Sequence, residues 1–201
     1  MRPPAGRWNH NTHFHPLALR HAAGSRSAVD VGCGDGLLSR RLVDAGVATA
    51  VGIDADERQV ALARQLAGRD DRLRFLHGDA LELPEGERFD LVTCFATLHH
   101  IGLEAGLRRL AELTAPGGRL VVVGLAAARA PRDFVTDLAT FPVAAVTHRL
   151  RGVWEHGAPV ADPDHSYDTV RRVASALLPG ARFRHRLYWR YSLEWTAPLS
   201  A

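Results

Sequence analysis

At 201 residues, 46% hydrophobic and 23% charged, the chain has the size and balance of one globular domain with a sizeable core, spanning residues 1–201. A net charge of +3 and a pI near 9.4 raise nucleic acid as a partner, but all 25 basic residues are Arg and are interleaved with Asp and Glu. That spread marks a solvated surface, and the absence of Lys removes Schiff-base and P-loop lysine chemistry.

The chain opens with MRPPAGRWNHNTHFH, which lacks the apolar region of a signal peptide, and no later apolar run reaches the roughly 18 residues of a membrane span. The expectation is a cytoplasmic protein with no membrane partner. Residues 1–26 precede the first strand and carry the closely spaced His10, His13 and His15. Without a carboxylate or Cys partner this is a poor ligand set, so no metal is expected.

The first strand pattern, Ser27 to Gly32, runs into a turn with glycines at 32, 34 and 36, and a helix pattern follows through Leu37, Leu38, Leu42 and Val43 to Gly46. A second strand, Ala48 to Asp54, leads to a helix opened by Asp56 and Gln59 at capping-box spacing and stopped at Gly68. Strands follow at Arg72 to Asp79, Phe89 to Phe95 and Gly118 to Leu125, with a helix through Leu103, Leu107 and Leu110 before Pro116. Short β-rich runs bounded by Gly, Asp or Pro read as buried parallel strands. Their alternation with helices predicts a Rossmann-like, doubly wound α/β sheet whose ligand crevice lies beyond the carboxyl ends of the strands. Cys33 and Cys94 fall in apolar contexts and are expected to be reduced, buried thiols.

After Leu125 the rhythm breaks. Residues 126–165 carry four prolines, Pro131, Pro142, Pro159 and Pro163, and read as a partly helical insertion that caps the substrate. A helix from Ser166 to Leu178 and two strands within Ala181 to Trp195, where apolar residues alternate, complete the chain.

The strand ends carry the chemistry. Glycines every second residue let a ligand lie against the backbone, but a dinucleotide calls for G-x-G-x-x-G, and here the spacing is G-x-G-x-G. Asp30, just ahead of the turn, would repel a pyrophosphate and favours a ligand bearing an amino group or a sulfonium. Asp54 ends the second strand, where a carboxylate accepts from ribose hydroxyls. Asp79 ends the third, placed to accept from an adenine amine, with Ala80 and Leu81 flanking the base.

VDVGCGDG, GIDAD, GDALELP, FDLVTCFATLHHI and LTAPGGRLVVVGL, in this order and spacing, resemble the class I S-adenosylmethionine-dependent methyltransferases over Ala28 to Leu125. The resemblance implies a seven-stranded sheet with an antiparallel last strand. It implies S-adenosyl-L-methionine along Gly32, Cys33, Gly34 and Gly36, with Asp30 behind the turn. Asp54 and Ala55 then meet the ribose, and Asp79, Ala80 and Leu81 the adenine. Cys94, Phe95 and Ala96 meet the methionine end. It further implies that Trp8 to His15 acts as a lid, and that the LHH of His99 and His100 is common in the family.

Methyl transfer needs an in-line nucleophile more than elaborate catalytic groups, and a base only where the acceptor must lose a proton. Histidines occur at three places, His10, His13 and His15, His99 and His100, and His148, His156 and His165 in the insertion, and of these His99, His100 and His13 are the candidates. Phe134, Phe141, Trp154 and Tyr167 are candidates to line an apolar acceptor pocket. The reading is methylation of a small-molecule metabolite at O, N or C by a monomer or homodimer. Alternatives are a protein that binds S-adenosylmethionine without methyl transfer and, disfavoured by Asp30 and the glycine spacing, a nicotinamide-dependent oxidoreductase.

Overall fold

The computed structural model describes residues 8–84, 86–131 and 164–199, with scattered positions between 133 and 149. Seven strands form one sheet: β1 Ser27–Val31, β2 Thr49–Asp54, β3 Leu73–His77, β4 Phe89–Phe95, β5 Thr114–Leu125, β6 Arg182–Arg186 and β7 Arg190–Thr196. Their order is β3-β2-β1-β4-β5-β7-β6. β1 to β5 are parallel neighbours, and β7 runs antiparallel to both β5 and β6.

The helices are α1 His15–Leu19, α2 Leu37–Asp44, α3 Glu57–Ala67, α4 Leu98–Ile101, α5 Leu103–Glu112 and α6 Tyr167–Leu177. Period-2 alternation decides which layer each strand residue feeds. In β4, Leu91 and Phe95 pack with Leu38 and Leu42 of α2 and Ala18 of α1, whereas Val92 and Cys94 pack with Leu107 and Leu110 of α5 and Val170 and Ala174 of α6. Asp56 caps α3 by accepting from the Arg58 N–H, and Ser166 caps α6 by accepting from the Thr169 N–H.

Two boundaries differ from the sequence patterns. β5 starts at Thr114 rather than Gly118, because Thr114 pairs with Phe89 before a register shift. Gly117 then donates to the Ala197 carbonyl, so the PGG stretch runs against the chain just past the end of β7. The tail strands part at a turn over residues 187–189, in which Tyr188 and Trp189 both have positive φ, +60° and +54°. This is the conformation of a tight hairpin turn, usually made by Asn-Gly.

β5 and α6 are joined through a long excursion whose ends meet: Ala127 bridges Ser166, and its N–H donates to the His165 carbonyl. The expected insertion lies between these points, and His148, Trp154 and His156 fall outside the described residues, as do residues 1–7 of the N-terminal segment. Among the described residues no helix is long and apolar enough to cross a membrane.

Candidate active site

Because β3, β2 and β1 are adjacent, the three acids that end or approach the ends of these strands share one rim of the sheet. Gly32, Gly34 and Gly36 all have positive φ, and the Gly32 and Cys33 N–H groups both donate to the Ile53 carbonyl, bending the chain tightly over β2. A Cβ on Gly32 would lie 1.8 Å from Thr97 Oγ1, and one on Gly36 2.5 Å from the Phe75 ring. Those two glycines are imposed by packing. A Cβ on Gly34 would meet nothing nearer than Gln59 Oε1 at 3.9 Å, so this backbone borders open space.

Asp54 extends that cradle. Its Oδ2 accepts from the Gly34 N–H at 2.7 Å and its Oδ1 from the Asp56 N–H at 2.9 Å. Each oxygen keeps a further lone pair. Ala55 is exposed beside it, its carbonyl 3.2 Å from His77 Nε2. Asp79 is exposed and accepts from the Leu81 N–H at 2.9 Å, which presents Leu81, 38% exposed, over a buried Ala80.

Asp30 takes a different place from its neighbours. It is buried behind the turn, accepting from Thr93 Oγ1 at 2.8 Å and Ser39 Oγ at 3.1 Å. Burial raises its carboxyl to about 6, against the pull of the two hydroxyl bonds. It acts on the cradle as a charge rather than as a contact surface. Cys33 and Cys94 are buried free thiols, and burial pushes Cys94 up to about 12 and Cys33 higher still, which makes both inert.

Beyond β4, Phe95 is buried edge-on to His15, and Ala96 is a non-glycine residue at φ +54°, its N–H donating to the Val123 carbonyl at 2.7 Å. A strained residue at a strand end in the crevice is a mark of a working site. α4 then carries the rings of His99 and His100, 4.0 Å apart. His99 is half-buried and His100 exposed. Burial, with the charges of His100 and Arg190, holds His99 at about 4, Asp164 acting in the opposite sense. His99 is therefore neutral at pH 7, and its Nδ1 is buried with no hydrogen-bond partner among the described residues.

His13 is not on this loop. It stands on the N-terminal segment in an aromatic cluster, edge-on to Tyr188 at 5.0 Å, while His10 stacks on Tyr188 at 4.8 Å and Trp8 meets the same ring edge-on. Phe141 packs against Trp189 in the same region. The NHNT sequence folds back on itself: Asn9 Oδ1 accepts from the N–H groups of Asn11 and Thr12, and the Asn9 N–H donates to Thr12 Oγ1. This turn aims Asn11 at β7, where Arg190 donates to its Oδ1. Of the other pocket candidates, Phe134 is 58% exposed and Tyr167 is buried in the core layer of α6.

Several residues of this region carry no motif signal. Arg109, buried in α5, donates to the carbonyls of Ala80, Leu83 and Pro84 and so pins the loop after β3. Ser39 and Arg190 are likewise defined by side-chain partners, Asp30 and Asn11, 9 and 179 residues away. Among the described residues no three His, Cys, Asp or Glu side chains gather as a metal site.

Residues 28–118 match the family model described as a methyltransferase domain. An uncharacterized methyltransferase of Mycobacterium tuberculosis is 37% identical over 198 residues, covering 96% of this chain and 98% of the relative. The 27-O-demethylrifamycin SV methyltransferase of Amycolatopsis mediterranei is 38% identical over 111 residues, 53% of this chain and 40% of the relative. Among solved structures, magnesium protoporphyrin IX methyltransferase from Synechocystis with bound S-adenosylmethionine superposes with a TM-score of 0.61 at 21% identity, covering 94% of this chain and 79% of that one.

Proposed function

The chain belongs to the class I S-adenosylmethionine-dependent methyltransferases, and on that footing we propose that it methylates an O, N or C nucleophile of a small-molecule metabolite. S-adenosylmethionine is the cofactor; bound, it supplies an electrophilic methyl group on sulfur. The cradle fits it: Gly34 leaves room where a side chain would intrude, and Asp54 has lone pairs to spare for two ribose hydroxyls. In the same reading Ala55 borders the ribose, while Asp79 takes the adenine amine and Ala80 and Leu81 flank the base. Gly32, Cys33, Gly36, Cys94, Phe95 and Ala96 shape the turn and the methionine end, and Asp30 favours the cationic part through its charge.

The observation that carries the small-molecule reading is the aromatic cluster at the mouth. Trp8, His10 and His13 come from the N-terminal segment, Tyr188 and Trp189 from the β6–β7 turn, and Phe141 from the excursion after β5. Three separate segments of chain closing over one end of the sheet suit an acceptor that is engulfed, and exclude water from the reacting centre. Residues 1–26 thus serve as a lid and 126–165 as a substrate cap. His99 offers Nδ1 to the acceptor for orientation; held at about 4, it is a weak base. His100, exposed at the rim, carries the proton to solvent, and His13 faces the acceptor from the lid. Two buried free thiols suit a reducing cytoplasm.

The test is transfer from methyl-labelled S-adenosylmethionine into an extract fractionated into metabolites, RNA and protein. Label is expected in the metabolite fraction; label confined to RNA or protein would overturn the reading.

A further inference from the structure

Along the chain the arginines are spread, but the fold gathers several of them. Alternate residues of a strand share a face, and the register sets Arg182 opposite Glu194, Arg184 opposite Ser192 and Arg119 opposite Thr196. Side-chain contacts join them: Arg119 donates to Thr196 Oγ1, and Arg186 donates to Ser192 Oγ at 2.8 Å and lies 3.9 Å from Glu194 Oε1. Arg20, just past α1, donates to the other oxygen of Glu194. Glu194 is the one acid that β5, β6 and β7 contribute. Arg20, Arg119, Arg182, Arg184 and Arg186 against that single glutamate exceed the whole net charge of the chain, +3. Burial, then the charges of Arg20 and Arg119, lowers the pKa of His21, and burial with the charges of Arg184 and Arg20 lowers that of Arg186. Arg119, Arg182 and Arg184 are exposed, and among the described residues no carboxylate pairs with them. Charged residues guard an edge strand such as β6 against pairing. Arg20 and Arg119 lie inward of that edge, and guarding it does not call for them.

The same side of the sheet carries an exposed apolar stripe. The described positions between 133 and 149 are helical, and they turn polar residues inward. Asp133 is buried and accepts from the N–H groups of Arg129 and Ala130, Thr140 is buried and its Oγ1 accepts from the Tyr188 N–H, and Thr147 meets the Tyr188 hydroxyl at 3.1 Å. Phe134, Leu138 and Phe141, spaced to fall on one helix face, are 58%, 70% and 57% exposed. This reverses the usual amphipathic arrangement, in which the apolar face meets the core. Phe141 also packs on the half-buried Trp189, three residues past Arg186. Tyr188 belongs to the buried layer of Val121, the register partner of Glu194, so stripe and arginines lie on one side of the sheet.

We propose that this side of the molecule docks on an anionic lipid bilayer. Such a surface complements both features at once: anionic headgroups meet the guanidinium groups, and the boundary between headgroups and acyl chains takes in Phe, Leu and Trp side chains. A nucleic acid would match the arginines and leave the stripe in water. No membrane-crossing helix is needed, because the protein lies on the surface. The inference goes beyond the methyl-transfer reading and is independent of the acceptor.

The experiment is co-sedimentation of the full chain with vesicles of phosphatidylcholine alone and of phosphatidylcholine with an equal amount of phosphatidylglycerol. Binding to the anionic vesicles is expected to be at least about a hundredfold tighter, at about fivefold for each arginine near the surface, and to weaken as salt is raised. Arg182→Gln combined with Arg184→Gln should weaken it about thirtyfold, and Leu138→Ser about tenfold. All three positions are exposed, so circular dichroism should show unfolding temperatures within about 2 °C of wild type. Equal binding to the two kinds of vesicle would overturn the proposal. So would anionic binding that the folded arginine variant leaves unchanged. Binding that is untouched by Leu138→Ser and displaced by transfer RNA would overturn it in favour of a nucleic-acid surface.

Discussion

At the scale of single residues, Asp30 has the least ordinary surroundings. Burial raises its carboxyl from 3.8 to about 6; the Thr93 and Ser39 hydroxyls offset part of that rise, and the charge of Asp54 adds to it. A carboxyl whose folded value lies above its unfolded one favours folding while protonated. Its contribution is fully present below about pH 4 and is lost as the pH rises through about 6. Asp30→Asn, which keeps the shape without the charge, should therefore gain stability relative to wild type between pH 4 and pH 7, by on the order of 3 kcal/mol. Urea unfolding at both pH values measures it, and a difference independent of pH would mean that Asp30 is not the group involved. The same charge lies next to the cradle, where the cofactor binding proposed above would offset the destabilisation. How far such residues can be read from sequence follows from where their partners lie. The glycines and Asp54 carry their meaning locally, in a turn and at a strand end. Arg109 and Arg190 do not, because Arg109 holds carbonyls 25 to 29 residues away and Arg190 holds an amide 179 residues away, and neither has a motif around it.

At the scale of elements, the β6–β7 hairpin is where local preference and tertiary need disagree. Alternation within 181–195 is enough to show two strands, but Tyr188 and Trp189 are not turn formers, and nothing about them announces positive φ. The fold holds them there because Tyr188 is 1% exposed, its N–H donates to Thr140 Oγ1, and its ring receives Trp8, His10, His13 and Phe14. Each non-glycine residue in that region costs about 1 kcal/mol or more, so the aromatic roof is built at the expense of the turn. Trp189 is only half-buried, which makes it the replaceable member. Trp189→Gly should change unfolding free energy by no more than about 1 kcal/mol, relief of strain offsetting lost contact with Phe141 and His10. Affinity for S-adenosylhomocysteine should stay unchanged while kcat/KM for the acceptor falls about tenfold. Equal losses in both would place Trp189 in the cofactor half instead.

At the scale of the molecule, the crevice is polarised. Asp30, Asp54 and Asp79 stand at the β1–β3 side, where the acids suit a cationic cofactor, and the neutral His99 stands with His100 and Arg190 at the β4–β7 side. The two halves meet in β4 and β5. β4 pairs with β1 and β5, and β5 takes seven consecutive partners from β7, while Arg20 and Asn11 tie the N-terminal segment to Glu194 and Arg190 of that strand. A sheet so joined should unfold as one unit across residues 1–201, although its ligand touches only part of it. S-adenosylhomocysteine at about 100 times its dissociation constant should then stabilise the whole chain by about 2.7 kcal/mol. Far-ultraviolet circular dichroism reports the sheet, and tryptophan fluorescence reports Trp8, Trp154, Trp189 and Trp195; both should move together. Asp54→Ala, with cofactor affinity weakened by about 1 to 3 kcal/mol, should lose from about a third to nearly all of that gain at the same ligand concentration and keep the two signals coincident. A fluorescence transition that ignores the ligand while the circular dichroism transition follows it would show two units where the continuous sheet requires one.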